Sequence, residues 1–186
     1  MRKLLPLIFV LILSSCSKEV PSDQLVERNG LLYEINSQKP FNGISVEFDG
    51  TRLREKLTFK EGKLSGPFES YYSGGSIEIK GEYLQEDIGG DLEQTAVGGP
   101  YEEYFLNGQL RMKGFLNTTV GLFDYDKEFI YFYSDGGMEE RNTPQSSSIS
   151  YIENFNSLGE LVAETCINIT DYELNEGESV DLSLCK

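Results

Sequence analysis

The chain has 186 residues, with 31 Asp and Glu against 16 Lys and Arg and no histidine, for a formal charge of −15. Such a polyanion is repelled by nucleic acid and by bare anionic membrane. Without histidine it has no Ser-His-Asp or Cys-His catalysis and no His-based metal site.

The chain opens Met1-Arg2-Lys3, followed by an almost wholly apolar run from Leu4 to Leu13. That run is shorter than the roughly 20 apolar residues needed to span a bilayer. A charged start, a short apolar run and small residues at its end describe a cleaved signal over residues 1–15. The closing Leu13-Ser14-Ser15-Cys16 resembles the lipobox of bacterial lipoproteins. The resemblance implies a diacylglycerol on the Cys16 thiol and an acyl chain such as palmitate on its amine. Two or three chains anchor stably where one binds only marginally. The alternative is an ordinary secretory signal followed by a chance cysteine. No Asp follows Cys16, and Cys16-Ser17-Lys18-Glu19 is similar to the lysine-plus-acid export tag of surface lipoproteins. The implied location is the cell envelope, on the outer membrane at its periplasmic face or at the cell surface. Residues 16–26 then read as the lipidated cysteine and a tether, polar from Ser17 to Gln24. Loss of the leader removes Arg2 and Lys3, leaving 14 basic against 31 acidic residues and a charge of −17.

Residues 27–162 are dominated by internal repetition. Gly66-Pro67-Phe68-Glu69-Ser70-Tyr71-Tyr72 returns as Gly99-Pro100-Tyr101-Glu102-Glu103-Tyr104-Phe105 at a constant offset of 33. The match continues through Gly74-Gly75 and Asn107-Gly108 to Gly81 and Gly114. Each copy predicts a β-hairpin closed by a two-residue turn with φ > 0 at both positions. That turn sets Phe105 against Leu110, Glu103 against Met112, Glu102 against Lys113 and Tyr101 against Gly114. In the earlier copy it sets Tyr72 against Ile77, Ser70 against Ile79, Glu69 against Lys80 and Phe68 against Gly81. One face is then apolar, with Phe68, Tyr72, Ile77, Ile79, Tyr101, Phe105, Leu110 and Met112. The other carries the Glu–Lys pairs together with Tyr71 and Tyr104. Weaker copies appear at Phe41–Leu53, Phe132–Met138 and Phe155–Leu161, and Gln85–Gly98 and Asn142–Ser150 read as inserted loops. No segment after the leader has helical periodicity.

The pattern of Gly-Pro, aromatic, Glu, paired aromatics, Gly turn, Leu and Lys-Gly resembles the bacterial MORN-repeat variant. Arg28-Asn29-Gly30-Leu31-Leu32-Tyr33 with Pro40-Phe41-Asn42-Gly43 resembles the opening of such proteins. The resemblance implies an all-β, antiparallel meander of hairpins in one long sheet. Many members of that family carry the label of antitoxin, which implies binding of a protein toxin, and the family supplies no catalytic residues.

Residues 163–186 show no repeat and form an acidic C-terminal segment. Besides Cys16, only Cys166 and Cys185 are present. An even pair in an exported chain reads as a disulfide; two buried thiols are the alternative. Adjacent carboxylates such as Glu102-Glu103 and Glu139-Glu140 point to opposite faces of a strand and form no acid–base pair. Asp124-x-Asp126-x-Glu128 has the spacing of calcium ligands, but Phe129 stands where a calcium loop needs Gly. No catalytic residue, cofactor or metal is therefore expected. Tyrosine is enriched at binding surfaces, so Tyr71 and Tyr104 are the candidate partner-binding face; packing flat on the sheet is the alternative. The expected role is a non-enzymatic, membrane-anchored protein-binding or scaffold lipoprotein. An immunity-type lipoprotein that neutralises a toxin is the alternative, and a glycan-active enzyme the third reading. The expected partners are the membrane, through lipid, and a protein; self-association through open sheet edges is a further expectation.

Overall fold

The computed structural model describes residues 17–85, 96–117, 122–123, 127–146, 148–171 and 176–186. The leader, Cys16, Asp124 and Asp126 lie outside the described residues.

The described chain is all-β. Its strands are β1 (Glu19–Pro21), β2 (Leu25–Arg28), β3 (Leu31–Glu34), β4 (Gly43–Asp49), β5 (Arg52–Lys60), β6 (Lys63–Tyr71), β7 (Ile77–Gln85) and β8 (Ala96–Tyr104). They continue as β9 (Leu110–Asn117), β10 (Leu122–Phe123), β11 (Phe129–Phe132), β12 (Met138–Ser146), β13 (Ile149–Phe155), β14 (Leu161–Asp171) and β15 (Glu176–Val180). One open sheet has the order β1-β4-β5-β6-β7-β8-β9-β11-β12-β13-β14-β15, with β10 on β9, and β2 and β3 form a separate hairpin. Only β1 is parallel to its neighbour, and from β4 onward the path follows chain order with antiparallel pairs. The sheet crosses residue 162 without a break, since β14 and β15 extend it into the acidic C-terminal segment.

The repeat register is observed away from the turns. Phe68 faces Gly81, Glu69 faces Lys80 and Ser70 faces Ile79. Tyr101 faces Gly114, Glu102 faces Lys113 and Glu103 faces Met112. The turns themselves differ from the two-residue expectation. Tyr72, Phe105, Tyr133 and Asn156 each donate N–H to the residue four positions on and accept from the Gly three positions on. These are three-residue loops, and Gly75, Gly108, Gly136 and Gly159 supply one positive φ each, from 80° to 93°. The register consequently slips beside every turn, so that Tyr71 faces Ile77 and Tyr104 faces Leu110. The physical reason is economy of positive φ. A two-residue primed turn needs it at both positions, which Leu158 would resist. A three-residue loop needs it only at the glycine. Two-residue turns with both φ positive occur instead at Asn29-Gly30 and Glu61-Gly62.

Other expectations are corrected. Gln85 and Ala96–Gly98 belong to β7 and β8, and most of Asn142–Ser150 belongs to β12 and β13. Polar residues on a half-solvated sheet do not signal a loop. Ser17–Gln24 is not simply a tether either. Val20 is 3% exposed and packs with Phe41 and Phe59, while β1 adds to β4.

Two apolar clusters stabilise the sheet. Val20, Phe41 and Phe59 gather Leu25 and Leu32 of the small hairpin at the Gly62 turn. There Leu32 N–H donates to Gly62 O at 2.9 Å, and Gly62 N–H to Phe41 O at 2.8 Å. The second cluster is Phe68, Tyr101 and Met112, with Leu57, Ile79, Tyr83 and Tyr131 around it. Across the strands aromatic and glycine alternate as Phe68, Gly81, Tyr101 and Gly114. A Cβ on Gly81 would lie 2.6 Å from the Phe68 ring, and one on Gly114 would lie 3.0 Å from Phe129 Cβ. Covering strand glycines with aromatics offsets their weak β-propensity.

Candidate functional site

Strand pairing builds a second, polar row on the opposite face. Lys56, Glu69, Lys80, Glu102 and Lys113 are consecutive cross-strand neighbours from β5 to β9. Alternating charge across a sheet favours this register. Lys80 reaches Glu102 at 2.8 Å, joining one hairpin to the next rather than closing its own. Lys56 pairs with Glu19 of β1 at 3.0 Å.

The candidate tyrosines lie on this face. Tyr71 donates its hydroxyl proton to Glu69, and Tyr104 donates to Glu102. The Lys80 ammonium sits 5.3 Å from the centre of the Tyr104 ring, within cation–π range. Burial, followed by the hydrogen bond to Glu69, pushes the Tyr71 phenol up to about 12. Burial works against the charge on Glu102, but hydrogen bonds from Lys80 and Tyr104 outweigh it and hold the carboxyl below its usual value. Lys80 is raised in turn, first by its hydrogen bond to Glu102 and then by its contact with Tyr104. Both phenols thus stay neutral at physiological pH, with their rings only partly covered. The two tyrosines are held in place by carboxylates of their own strands. Pre-set side chains cost less entropy on binding than free ones.

Glu102 and Glu103 diverge as expected, for Glu103 accepts from Tyr101 at 2.7 Å on the apolar side and pairs with Arg111 at 3.2 Å. Glu128 lies 3.8 Å from Arg141, and no group of three or more metal-ligating residues exists among the described residues. Cys166 and Cys185 form a disulfide, and both are buried beside Ser150.

Two features escaped the reading of the sequence. Tyr72 donates to Tyr104 O at 2.8 Å, and Tyr133 to Phe155 O at 2.8 Å, so at two of the four turns a tyrosine braces the neighbouring hairpin. A groove of about 230 Å³ also runs across β6, β7 and β8, between Pro67, Glu82 and Pro100 on one side and Glu69, Lys80 and Glu102 on the other. Repetition of Gly-Pro at the same offset as the tyrosines was the available signal for it.

No protein-family model matches this chain, and no curated protein matches it in sequence.

Proposed function

We propose that this protein is a lipoprotein of the cell envelope, anchored through Cys16, whose sheet binds a partner protein on the face bearing Tyr71 and Tyr104. The observation that carries this reading is the pair of half-exposed phenols, each fixed by a glutamate on its own strand. Tyrosine offers large contact area with little rotamer entropy to lose. The repeat pattern, with its resemblance to the MORN variant, supports a binding scaffold. The lipobox-like Leu13-Ser14-Ser15-Cys16 supports the anchor.

The test is gentle-detergent co-purification from the native host, comparing the parent, Tyr71→Ala/Tyr104→Ala and Cys16→Ser. The reading requires a stoichiometric partner that the folded tyrosine variant loses, and a Cys16→Ser form released from the membrane. A folded tyrosine variant that retains every co-purifying protein overturns it.

A further inference from the structure

The groove beside the tyrosines has a chemistry of its own. Its floor is the backbone of Phe68, Gly81 and Tyr101, and the exposed rings of Pro67 and Pro100 stand on either side of Glu82. At about 230 Å³ it falls below the roughly 300 Å³ at which small-molecule pockets begin. It has room for one long side chain, not for a drug-sized cofactor.

Charge selects which side chain. In the row Lys56-Glu69-Lys80-Glu102-Lys113 positive and negative groups alternate, Lys80 pairs with Glu102, Lys56 pairs with Glu19, and Glu69 accepts from Tyr71. The row beyond the groove is different. Glu82 is exposed, sits between two prolines and has no ion pair or side-chain hydrogen bond among the described residues. The groove has a mainly apolar exposed lining. Its far wall carries Glu69, Lys80 and Glu102, already engaged with Tyr71 and with one another. Glu82, in the middle of its near wall, is the carboxylate without a partner among the described residues. Arg and Lys are the side chains with an apolar stem and a cationic tip, and they lay the stem on apolar surface while the head stays at the rim. Arginine suits this rim better. Its guanidinium is planar and weakly hydrated, and it grips a carboxylate with two parallel hydrogen bonds. The surplus of 31 acidic over 16 basic residues steers basic partners toward the molecule.

We infer that the Pro67–Glu82–Pro100 groove receives an arginine side chain from a basic segment of a partner protein. This rests on the proposed binding role of the same face, and it names the partner chemistry. The tyrosines contact the partner on one side of the Glu69-Lys80-Glu102 row, and the arginine docks on the other.

The experiment is a heteronuclear NMR titration of the full chain in detergent with a blocked Ala-Arg-Ala-Arg-Ala peptide. The same peptide with citrulline in place of arginine is the neutral control. The expected result is shift changes centred on Pro67–Glu69, Lys80–Glu82 and Pro100–Glu102, absent with citrulline. Glu82→Gln then weakens binding about fivefold, the upper end for one exposed ion pair, while Glu47→Gln on the opposite face leaves it unchanged. Shifts spread over all acidic surfaces, equal loss in the two Gln variants, or no shifts at all overturn the inference. Partner capture separates the two claims. A partner lost in Tyr71→Ala/Tyr104→Ala but kept at full affinity by Glu82→Gln leaves the binding face standing and removes the groove.

Discussion

Glu55 shows how a single carboxyl reports on its surroundings. It sits on the apolar side of the sheet, opposite Glu47 and Ser70. Burial raises its pKa first and Glu47 adds to the rise, while Arg54 opposes them. The folded protein therefore holds this proton to a higher pH than the unfolded chain, whose value is near 4.5. The resulting stability is complete below that value and is lost as pH rises through the folded pKa. Glu55→Gln removes the penalty at neutral pH. We expect a higher urea midpoint at pH 7 and a flatter stability profile above pH 4.5. A midpoint that stays the same or falls counts against this account of the site.

Among the elements, the hairpin is the repeating unit, and glycine serves it in two unrelated ways. Gly81 lies within a strand under the Phe68 ring, where an added Cβ would meet ring carbons at 2.6 and 2.7 Å and Pro100 O at 2.8 Å. Gly74 lies in a loop where a Cβ meets nothing within 4 Å. Overpacking a filled site costs about 1–3 kcal/mol, whereas a surface change free of contacts stays within about 0.5 kcal/mol. Gly81→Ala should lower stability in urea by the larger amount and Gly74→Ala by almost nothing. Equal effects would mean that loss of glycine entropy, not the covering aromatic, governs the strand.

For the molecule as a whole, each strand after β4 leans chiefly on its neighbours in sequence, the arrangement that makes repeat proteins quasi-one-dimensional. Damage at one end should stay there. The Cys166–Cys185 disulfide spans a sequence separation of 19 at the β15 end. In the chain-entropy model a loop of that size contributes about 3 kcal/mol. Hydrogen exchange of Cys166→Ser/Cys185→Ser should therefore quicken in β13, β14 and β15 and stay unchanged in β5–β9. Uniform acceleration along the sheet would show that it unfolds as one cooperative block.

The hairpin cores were legible because strand side chains alternate with period two, and the two copies agree at the Gly-Pro, the aromatics, the Glu, the turn glycine, the apolar return and the Lys-Gly at a constant offset. Pairings such as Glu69 with Lys80 and Glu102 with Lys113 follow directly. The sheet faces were legible too, since Tyr71 and Tyr104 share a side with the Glu–Lys row. Asn107-Gly108 and Gly74-Gly75 allow both a two-residue and a three-residue loop, and the choice depends on how the flanking strands twist and slip. The burial of Val20 was hidden for a related reason. One apolar residue in a polar stretch has no period, and its place beside Phe41 and Phe59 exists only once β1 lies along β4. The groove at Glu82 is likewise a product of assembly. Pro67, Glu82 and Pro100 come from three strands, and local sequence carries periodicity within a strand but not which surfaces three strands enclose together.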